Sequence, residues 1–545
     1  MPHHPGYPVF CMLGKAFSLL PLGEVAARTN LLSATSASSA VYVLYRLNLL
    51  MSGFLGGRAG LVSAAAALAF AAYPVFWAQA VVTEVYAMNA LVVASLAYSA
   101  VRYHTGGGVP YLYITGLLTG LAFGCHHSAF FLLPGILVFL AADATARRDY
   151  KRVMVFLFFL AFGFSVNLYI PLRAHAGPAL NIGGADDLGG LLWLSRWPMY
   201  YNAVSQKAGA LPSMLTAGRA ALGLAAAAAA AALVYTARDR RIFSFLFAAV
   251  LTYYLCVRML AAGDVNAASM GFAAKFHIPA VMLLPAAFAA WLPGRLVRAP
   301  GMSRAAWPAA AAFIALAGFL GVSGFRDLDS SRNYYARDYC ANALKSVSER
   351  GALFAWGDSE VFPAWYLMHV ERYREDVMFI DTPLMSDSWY VRQAVPELAR
   401  RYGVSYGVTG DLGRLQENIL RLNSLLYGHA GVYYTYTAAH RLKLSWEGLL
   451  PQGLVTMADT GPRGQDPRHV WDRLVMRGGL RADTPRAQVA EDIFSIYGYQ
   501  AFLWGEEALR RGRRDEARVA YNKAWHMGYR NPTVKMRLEG LGQGS

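Results

Sequence analysis

The sequence predicts a mainly α-helical fold: a polytopic membrane bundle of about ten helices, then a soluble α/β domain, then a C-terminal helical hairpin. Of the 545 residues, 56% are hydrophobic and only 15% are charged, whereas a soluble domain carries roughly 25% charged residues. The apolar runs end near residue 325, and mixed-charge sequence follows. This composition excludes disordered and collagen-like chains, and the four scattered cysteines indicate neither a disulfide framework nor a CxxC metal site.

Apolar runs near the roughly 20 residues that cross a bilayer recur throughout residues 1–325. The run 111–142 is too long for one span, and the polar segment from Gly124 to Ser128 divides it into two short ones. The other predicted spans are 30–50, 61–77, 84–101, 152–171, 213–236, 242–260, 276–293 and 307–325.

Basic residues indicate how the bundle is oriented. Lys and Arg outnumber Asp and Glu by 50 to 34, which alone would also suit a nucleic-acid-binding protein. They cluster, however, in short loops between apolar runs, as cytoplasmic loops of membrane proteins do, so no nucleic-acid partner is expected. This orientation places on the outer side the turn at His126, everything after Phe325 and the loops 78–84, 172–212 and 262–275.

The same alternation places residues 1–29 outside, although neither a signal peptide nor an apolar span precedes them. The simplest expectation is a missing first helix, through truncation or a misassigned start. A short N-terminus that is itself translocated is the alternative.

The polar half predicts a soluble α/β domain over residues 326–485, because short apolar runs alternate with helical segments. Helices are expected from Glu360 and over Trp389–Tyr402. The expected strands and β-rich stretches are Ala352–Trp356, Val377–Ile380, Val432–Thr437 and Arg441–Trp446.

Residues 486–545 predict a helical hairpin, with helices over Asp492–Arg511 and Asp515–Met527 and a turn at Gly512. Small and aromatic residues follow the spacing of a tetratricopeptide repeat (TPR): Trp504, Gly505, Gly512, Ala517, Tyr521 and Ala524. One repeat cannot form a solenoid, so the pair either caps the domain or binds a protein partner.

A series of short motifs resembles the domain-of-unknown-function 2723 family, which looks like protein O-mannosyltransferases. The motifs are His4-Pro5-Gly6-Tyr7-Pro8, Arg28 to Ser33, Thr83-Glu84-Val85-Tyr86 with Asn89, Tyr169 to Arg173, Asn181 with Gly183, and Arg196 with Tyr200. The resemblance covers about the first 210 residues and continues weakly through Asp264–His277 and Trp356–Ser359. It implies a polytopic glycosyltransferase of the C-type (GT-C-like) fold, and many bacterial members end in a soluble domain with TPR-like helices.

The chain departs from the family pattern at its start. The family has an apolar first helix and then an outer loop with an acidic cluster, typically Asp-Ser-Gly-Glu, before the His-Pro-Pro-Gly-Tyr-Pro element. This chain begins inside that element, as His3-His4-Pro5-Gly6-Tyr7-Pro8. Because a first-loop carboxylate is the usual base in C-type enzymes, the chain is expected to lack its own base at that position and to be inactive if it is a truncation.

The resemblance implies that a hexose, mannose-like, moves from a polyprenyl-phosphate sugar to a protein or envelope-glycan acceptor on the outer face of a bacterial inner membrane. Such transfer needs a carboxylate base, cations for the departing phosphate and a groove open to membrane lipid. The expected catalytic residues are Glu84 and Asp264. The expected substrate-binding residues are His3, His4, Tyr7, Tyr86, His126, His127, Arg173, Asn181, Arg196, Lys275 and His277.

Each candidate has a structural alternative. Glu84 could be a helix N-terminal residue capped by Thr83, and the histidine pair could be a polar turn at the membrane interface. Because consecutive residues on a helix point in different directions, only one of the two histidine rings is expected to point inward. Arg173 could be an interfacial arginine at a helix end, and Lys275, His277 and Asp264 could form salt bridges in a wet loop. Trp193 and Trp197 could anchor in lipid headgroups.

Two other functions compete with transfer. A non-catalytic membrane scaffold or lipid-binding protein would recruit partners through the soluble part, and the missing acidic loop favours it. A transporter is not favoured, because the sequence gives no evidence of duplicated hydropathy halves with paired broken helices. Neither a cofactor nor a metal is expected, since the sequence has no Walker loop, no GxGxxG after a strand and no zinc-type ligand spacing. Asp358 is expected to form a turn or helix cap.

Overall fold

The structure is a computed structural model. The residues it describes are 6–142, 150–188, 190–191, 239–261, 274–292, 297–299, 301–404, 415–445, 449–458, 467–477 and 488–542. The predicted span 213–236 lies outside these residues. Contacts between residues divide the described chain into two units: one within Met1–Pro178 and Ala185–Leu328, the other within Ala179–Gly184 and Asp329–Ser545. The division falls three residues after the predicted domain boundary at 325.

The first unit is built from helices. They are α1 (Pro8–Ser18), α2 (Val25–Met51), α3 (Ala59–Ala71), α4 (Pro74–Ala80), α5 (Tyr86–Arg102), α6 (Pro110–Cys125), α7 (Leu133–Ala142), α8 (Tyr150–Phe164), α9 (Tyr169–His175), α10 (Arg240–Ala261), α11 (Ile278–Trp291) and α12 (Ala306–Leu328). Short 3₁₀ or π turns lie at Gly53–Arg58, Tyr103–Gly107, His127–Leu132, Ser165–Leu168 and Met302–Ala305. The predicted mainly helical fold class is confirmed.

Within the described residues, four helical stretches are long and apolar enough to cross a membrane: Gly53–Ala71, Tyr150–His175, Ala274–Trp291 and Met302–Leu328. In the second and the last of these stretches, only 11% of the apolar window is buried inside the unit. Large apolar side chains such as Phe162 therefore face outward. A surface of this kind is unfavourable in water and suits a lipid environment.

The predicted division of 111–142 is confirmed, because α6 ends at Cys125 and His126 adopts an extended backbone (φ −163°, ψ 135°). The 3₁₀ turn His127–Leu132 follows directly, and α7 then continues the apolar run. The helix break therefore lies at the histidine pair.

Glycines bring α6 and α8 into close contact. A Cβ atom at Gly120 would collide with the backbone of Leu160 and Gly163, and one at Gly116 would lie 2.6 Å from the carbonyl oxygen of Phe156. Gly116 and Gly120 have the small-xxx-small spacing that allows helices in membranes to approach closely.

We expect Gly120→Val to separate α6 from α8 and to lower the free energy of unfolding by about 1–3 kcal/mol, because the added side chain overpacks a backbone contact. Thermal unfolding of the purified protein in detergent, followed by circular dichroism, measures the change. Gly318→Val is the matched control, since a Cβ added at Gly318, in α12, would meet no atom within 4 Å. Equal losses in the two variants would contradict the close-contact interpretation.

The second unit contains a five-stranded mixed sheet in the order β2-β1-β3-β5-β4. The strands are β1 (Ala352–Ala355), β2 (Met378–Asp381), β3 (Val432–Thr435), β4 (Leu449–Gln452) and β5 (Val455–Ala458). The pairs β1–β2 and β1–β3 are parallel, whereas β3–β5 and β4–β5 are antiparallel. The carboxyl ends of β1, β2 and β3 therefore lie along one edge of the sheet.

Helices surround this sheet and complete the second unit. They are α13 (Tyr335–Ser346), α14 (Asp358–His369), α15 (Ser388–Tyr402), α16 (Leu415–Leu426), α17 (Tyr436–Arg441), α18 (Pro467–Asp472), α19 (Gln488–Arg510), α20 (Arg514–His526) and α21 (Pro532–Gly542). Short 3₁₀ turns lie at Ile182–Gly184 and Pro383–Ser386. The β-rich prediction for Arg441–Trp446 is wrong where the structure describes it: Arg441 ends α17, and Leu442–Ser445 are turn and coil. The antiparallel pair formed by β4 and β5 follows instead.

The predicted hairpin is formed by α19 and α20, with Gly512 at φ +75° in the turn. Gly505 permits the close approach, because a Cβ there would lie 2.6 Å from the ring of Tyr521. Trp504 Nε1 donates to Glu516 Oε1 at 2.8 Å across the pair. One continuous hydrophobic core includes this hairpin, α21 and the sheet. The assignment to a TPR, like the separate domain 486–545, stays a prediction.

Candidate active site

Four separate segments of the first unit meet around the imidazole of His126. Tyr7, just before α1, stacks on the His126 ring with centroids 5.4 Å apart and planes within 4°. Tyr86, at the start of α5, lies 5.2 Å from the same ring, and Phe276, just before α11, lies 5.7 Å from it. We call these four rings the imidazole cluster. Its members are separated by up to 269 positions in sequence, so only tertiary folding brings them together.

Tyr7 has an unusual backbone conformation. Its φ is +38°, in the left-handed region, and Gly6 before it has φ +106°. A bulky residue in this region costs on the order of 1–3 kcal/mol, so the surrounding structure must hold it there. Pro8 then begins α1 with a backbone already suited to the first helical position. The turn directs the Tyr7 ring onto His126.

Hydrogen bonds determine the tautomer of His126. The backbone N–H of Ser128 donates to His126 Nδ1 at 3.1 Å, and a backbone N–H can only donate. Nδ1 is therefore the acceptor, and the proton of the neutral ring lies on Nε2. Ser128 Oγ lies 2.8 Å from Nδ1, accepts a hydrogen bond from Asn89 Nδ2 at 3.2 Å and lies 3.4 Å from the hydroxyl of Tyr253. Groups from α5 and α10 thus orient the imidazole.

A carboxylate and an ammonium group lie beside the imidazole cluster. Lys275 Nζ is 3.9 Å from Glu84 Oε1, and the two side chains are 29% and 41% exposed. Lys275 Nζ also lies 5.5 Å from the centroid of the Tyr86 ring, within the range of a cation–π contact. Tyr86 therefore contacts both the charged pair and His126. The partial exposure leaves room for a substrate.

The loop before α5 is held by α2. The hydroxyl of Ser33 lies 3.2 Å from both the backbone nitrogen and the backbone oxygen of Glu84. Thr83 Oγ1 donates to Asn30 Oδ1 at 2.5 Å and lies 2.8 Å from Thr29 Oγ1. Thr83 makes no helix cap, because α5 begins at Tyr86 without a side-chain cap, and Glu84 precedes the first turn. Two of the sequence motifs are thus in direct contact with each other.

Of the other predicted residues that the structure describes, Arg173 and Asn181 do not join this arrangement. Arg173 lies exposed in the last turn of α9 without a side-chain hydrogen bond or ion pair to any described residue. His127 is buried beside His126, so both rings of the pair point inward, contrary to the expectation of one. His277 is half-buried at the start of α11. Asn181 lies in the second unit, where its backbone N–H and carbonyl bond to the Gln393 side chain at 3.0 and 2.8 Å.

Further predicted residues lie outside the described part of the chain. These are His3, His4, Arg196 and Asp264, together with Trp193 and Trp197. Their predicted roles stay predictions.

Three contributors were missed as site residues: Phe276, Ser128 and Tyr253. Ser128 belongs to the polar segment that divides 111–142, which was the available signal. Phe276 and Tyr253 lie within apolar runs, where an aromatic residue that packs against lipid or core looks the same in sequence.

In the second unit, polar residues gather where β1, β2 and β3 end. Glu360, in the first turn of α14, is buried and accepts hydrogen bonds from Tyr339, Thr435, Thr437 and the backbone N–H of Trp356. Burial raises the pKa of Glu360, although these donors oppose the shift. The turn itself is made by Gly357, at φ +94°. Asp358 begins α14 without a side-chain cap, so the expected capping bond is absent.

Asp381, at the end of β2, is a buried carboxyl whose Oδ1 has no hydrogen-bond partner among the described residues. Burial, with a smaller contribution from the nearby carboxylates of Asp358 and Asp387, raises the pKa of Asp381 to about 7, although a backbone hydrogen bond from Leu384 opposes the shift. The carboxyl is therefore protonated in the folded protein over a pH range in which the unfolded chain has lost its proton.

The raised pKa of Asp381 predicts a pH-dependent stability. Its contribution is fully present below its ordinary pKa near 4, falls as the pH rises and is lost above about 7. At pH 8 we expect the free energy of unfolding of Asp381→Asn to exceed that of the natural protein by about 2 kcal/mol, with a correspondingly higher unfolding temperature. Near pH 4 this difference should disappear. Thermal unfolding of the full chain, followed by tryptophan fluorescence, measures both values.

Asp376→Asn is the control, because the pKa of Asp376 is shifted in the opposite direction to that of Asp381. Hydrogen bonds from Arg374 hold the pKa of Asp376 below its usual value, so its stabilisation exists above the ordinary pKa and is lost as the pH falls through the lowered one. This variant should be less stable at pH 8 and match the natural protein in acid. A gain from Asp381→Asn that is the same at pH 4 and pH 8 would contradict a buried carboxyl with a raised pKa.

Comparison with known proteins agrees with the motifs. A family model described as the protein O-mannosyl-transferase TMEM260 N-terminal domain matches residues 1–149, and TMEM260-associated domain 2 matches residues 336–405. A mouse protein, protein O-mannosyl-transferase TMEM260, is 24% identical over 429 residues, which are 73% of this chain. The resemblance to protein O-mannosyltransferases inferred from the sequence is confirmed. The chain spans about 59% of the length of the mouse relative.

Among solved structures, the chain is similar to ArnT from Cupriavidus metallidurans. The apo structure gives a TM-score of 0.45 at 12% identity, and the structure bound to undecaprenyl phosphate gives 0.36 at 16% identity. Each match covers 85% of this chain and 89% of the other.

Proposed function

We propose that the chain is a membrane glycosyltransferase that moves a mannose-like hexose from a polyprenyl-phosphate sugar to a hydroxyl of a protein or envelope-glycan acceptor. The name of the mouse relative and the two family matches support this class of reaction. The apolar, outward-facing helices suit an enzyme whose donor is a membrane lipid.

The observation that carries the proposal is the Glu84–Lys275 pair beside the imidazole cluster. In the reaction, the bond between the sugar C1 and the phosphate oxygen breaks, and a bond forms between C1 and the acceptor oxygen. The acceptor hydroxyl loses its proton, and the polyprenyl phosphate leaves with an added negative charge. The site therefore needs a base near the acceptor hydroxyl and a cation near the phosphate, and this pair supplies one group of each kind.

Glu84 is proposed as the base that takes the acceptor proton, since a carboxylate placed within reach of a hydroxyl contributes typically 10²–10⁴-fold to rate. Lys275 is proposed to stabilise the charge that develops on the departing phosphate. Asp264 is proposed as a second catalytic carboxylate. Arg173 is proposed to contact the phosphate when substrate binding moves its exposed side chain towards the site.

The imidazole cluster is proposed to bind the sugar and the phosphate. Tyr7, Tyr86 and Phe276 supply ring surfaces, and the Nε2–H of His126 is a hydrogen-bond donor, since Nδ1 is occupied as an acceptor. The stacked Tyr7 ring depends on the element His4-Pro5-Gly6-Tyr7-Pro8, which assigns this motif a positioning role.

The orientation of the first unit in the membrane is also part of the proposal. The basic loops predict that the turn at His126, Glu84 and Lys275 lie near the outer face, where a translocated lipid-linked sugar would be presented. We propose the inner membrane of a bacterium as the location, with the second unit outside the cytoplasm.

We expect Glu84→Gln to reduce hexose transfer by about 10²–10⁴-fold, because the amide cannot accept the proton. Lys275→Met should reduce it by at least about tenfold, through lost stabilisation of the phosphate. The assay reconstitutes the full chain in proteoliposomes with radiolabelled polyprenyl-phosphate hexose and counts label in the product that organic solvent does not extract.

Glu24→Gln and Lys15→Met are matched controls, since both residues are exposed and lie outside the cluster. These variants should keep full turnover. Unchanged turnover in both site variants would remove the pair from the mechanism. No transfer by the natural chain, with donor lipid still bound, would favour the scaffold or lipid-binding alternative.

A further inference from the structure

The second unit contains a cavity of about 490 Å³ at the ends of β1 and β3, lined also by residues of α13, of α19 and of the turn after α20. This volume is in the range of ~300–1,000 Å³ that is usual for small-ligand sites. The residues that give it chemical character are Tyr339, Glu360, Tyr436, Thr437, Tyr499 and Tyr529. The proposed transfer chemistry uses none of them.

Glu360 places a buried carboxyl group at the cavity wall, and four hydrogen-bond donors favour its ionised form against the cost of burial. Its Oε1 accepts from Tyr339 at 3.0 Å and Thr437 at 2.9 Å, and its Oε2 accepts from Thr435 at 2.7 Å. The Thr435 hydroxyl, which donates here, also accepts from the backbone N–H of Ala438. With the Trp356 N–H as a fourth donor, the carboxyl has only acceptor roles, as an ionised carboxylate has.

No described residue forms an ion pair with Glu360, and none of the described residues lining the cavity is Lys, Arg or His. A buried charge without a counterion is costly, and the four donors offset only part of that cost. A positively charged group in the cavity would supply the missing compensation. An anionic ligand such as a phosphate or a carboxylate would meet repulsion.

Tyrosine rings form the remaining walls. The rings of Tyr436 and Tyr499 have centroids 4.9 Å apart and planes at 63°, and those of Tyr499 and Tyr529 have centroids 5.7 Å apart and planes at 75°. All three residues line the cavity, and their rings meet there at steep angles. The faces of aromatic rings carry negative potential, and cages of such rings bind organic ammonium groups.

We propose that this cavity binds an organic ammonium group, held between the three tyrosines and attracted by the carboxylate of Glu360. The combination of a buried carboxylate, steeply angled rings and the absence of described basic residues in the lining favours a cation over a neutral sugar. The inference does not depend on the proposed transfer reaction.

The test measures binding by isothermal titration calorimetry to the full chain in phosphatidylglycerol nanodiscs, which contain no choline. Choline is compared with 3,3-dimethylbutan-1-ol, its uncharged isostere, and glucosamine with glucose. We expect at least one of the two ammonium probes to bind about tenfold or more tightly than its neutral partner. The two pairs distinguish a quaternary ammonium from an amino sugar as the source.

Variants locate the binding. Tyr499→Leu should weaken the bound probe about tenfold, because it removes one wall while keeping apolar volume, whereas Tyr427→Leu should change nothing, since Tyr427 is an exposed surface residue. Glu360→Gln should lower the affinity for the ammonium probe and leave the affinity for its neutral partner unchanged. If Glu360→Gln fails to fold, the comparison of Tyr499→Leu with Tyr427→Leu decides whether the probe binds in this cavity.

Equal binding of charged and neutral partners would overturn the inference. So would the absence of binding up to about 10 mM of either ammonium probe, or equal affinity in Tyr499→Leu and Tyr427→Leu.

Discussion

The arrangement of the first unit depends on one constraint: a helix that breaks inside an apolar bundle must satisfy its polar groups within the protein. At His126 the backbone leaves the helix of Pro110–Cys125 and becomes extended. Ser128 bonds to the imidazole through its backbone and side chain, and Asn89 and Tyr253 complete the network from two other helices. The break that hydrogen bonding requires thus also fixes the orientation of the ring on which the cluster is built.

The two charged groups beside this cluster, Glu84 and Lys275, lie in the segments just before α5 and α11. Glu84 and Lys275 come from parts of the chain 191 positions apart, and the ring of Tyr86 contacts both Lys275 and the imidazole. Both charged side chains keep partial exposure, which a buried structural ion pair would not need. A carboxylate and an ammonium group beside aromatic rings match the requirements of transfer from a phosphate-linked sugar, where a proton leaves and negative charge develops together.

The second unit uses a buried carboxylate differently. Glu360 connects the ends of two parallel strands to α13, since its donors come from Tyr339, from the residue after β1 and from the residues at and after the end of β3. This edge is where ligands bind in parallel sheets, because the connections diverge there and leave a crevice. The helical hairpin and the turn after it line the crevice with Tyr499 and Tyr529, so that a segment predicted as a cap or partner site also shapes a cavity.

The sequence by itself determined the helical class, the division between an apolar and a polar half, the break at His126 and the motifs around Glu84 and Tyr86. These features follow from local composition, because segments in lipid and segments in water need different side chains. It also identified Lys275 and Tyr7, although it ranked Arg173 and Asn181 beside them. The prediction of a β-rich stretch over Arg441–Trp446 is wrong for the described residues Arg441–Ser445, because a short alternating run is ambiguous between strand and turn. Only the tertiary structure decided which candidates meet, how His126 is protonated and that Phe276 and Tyr253 belong with it. Distances between side chains far apart in sequence depend on helix packing, and an aromatic residue in an apolar run carries no local sign of its neighbours.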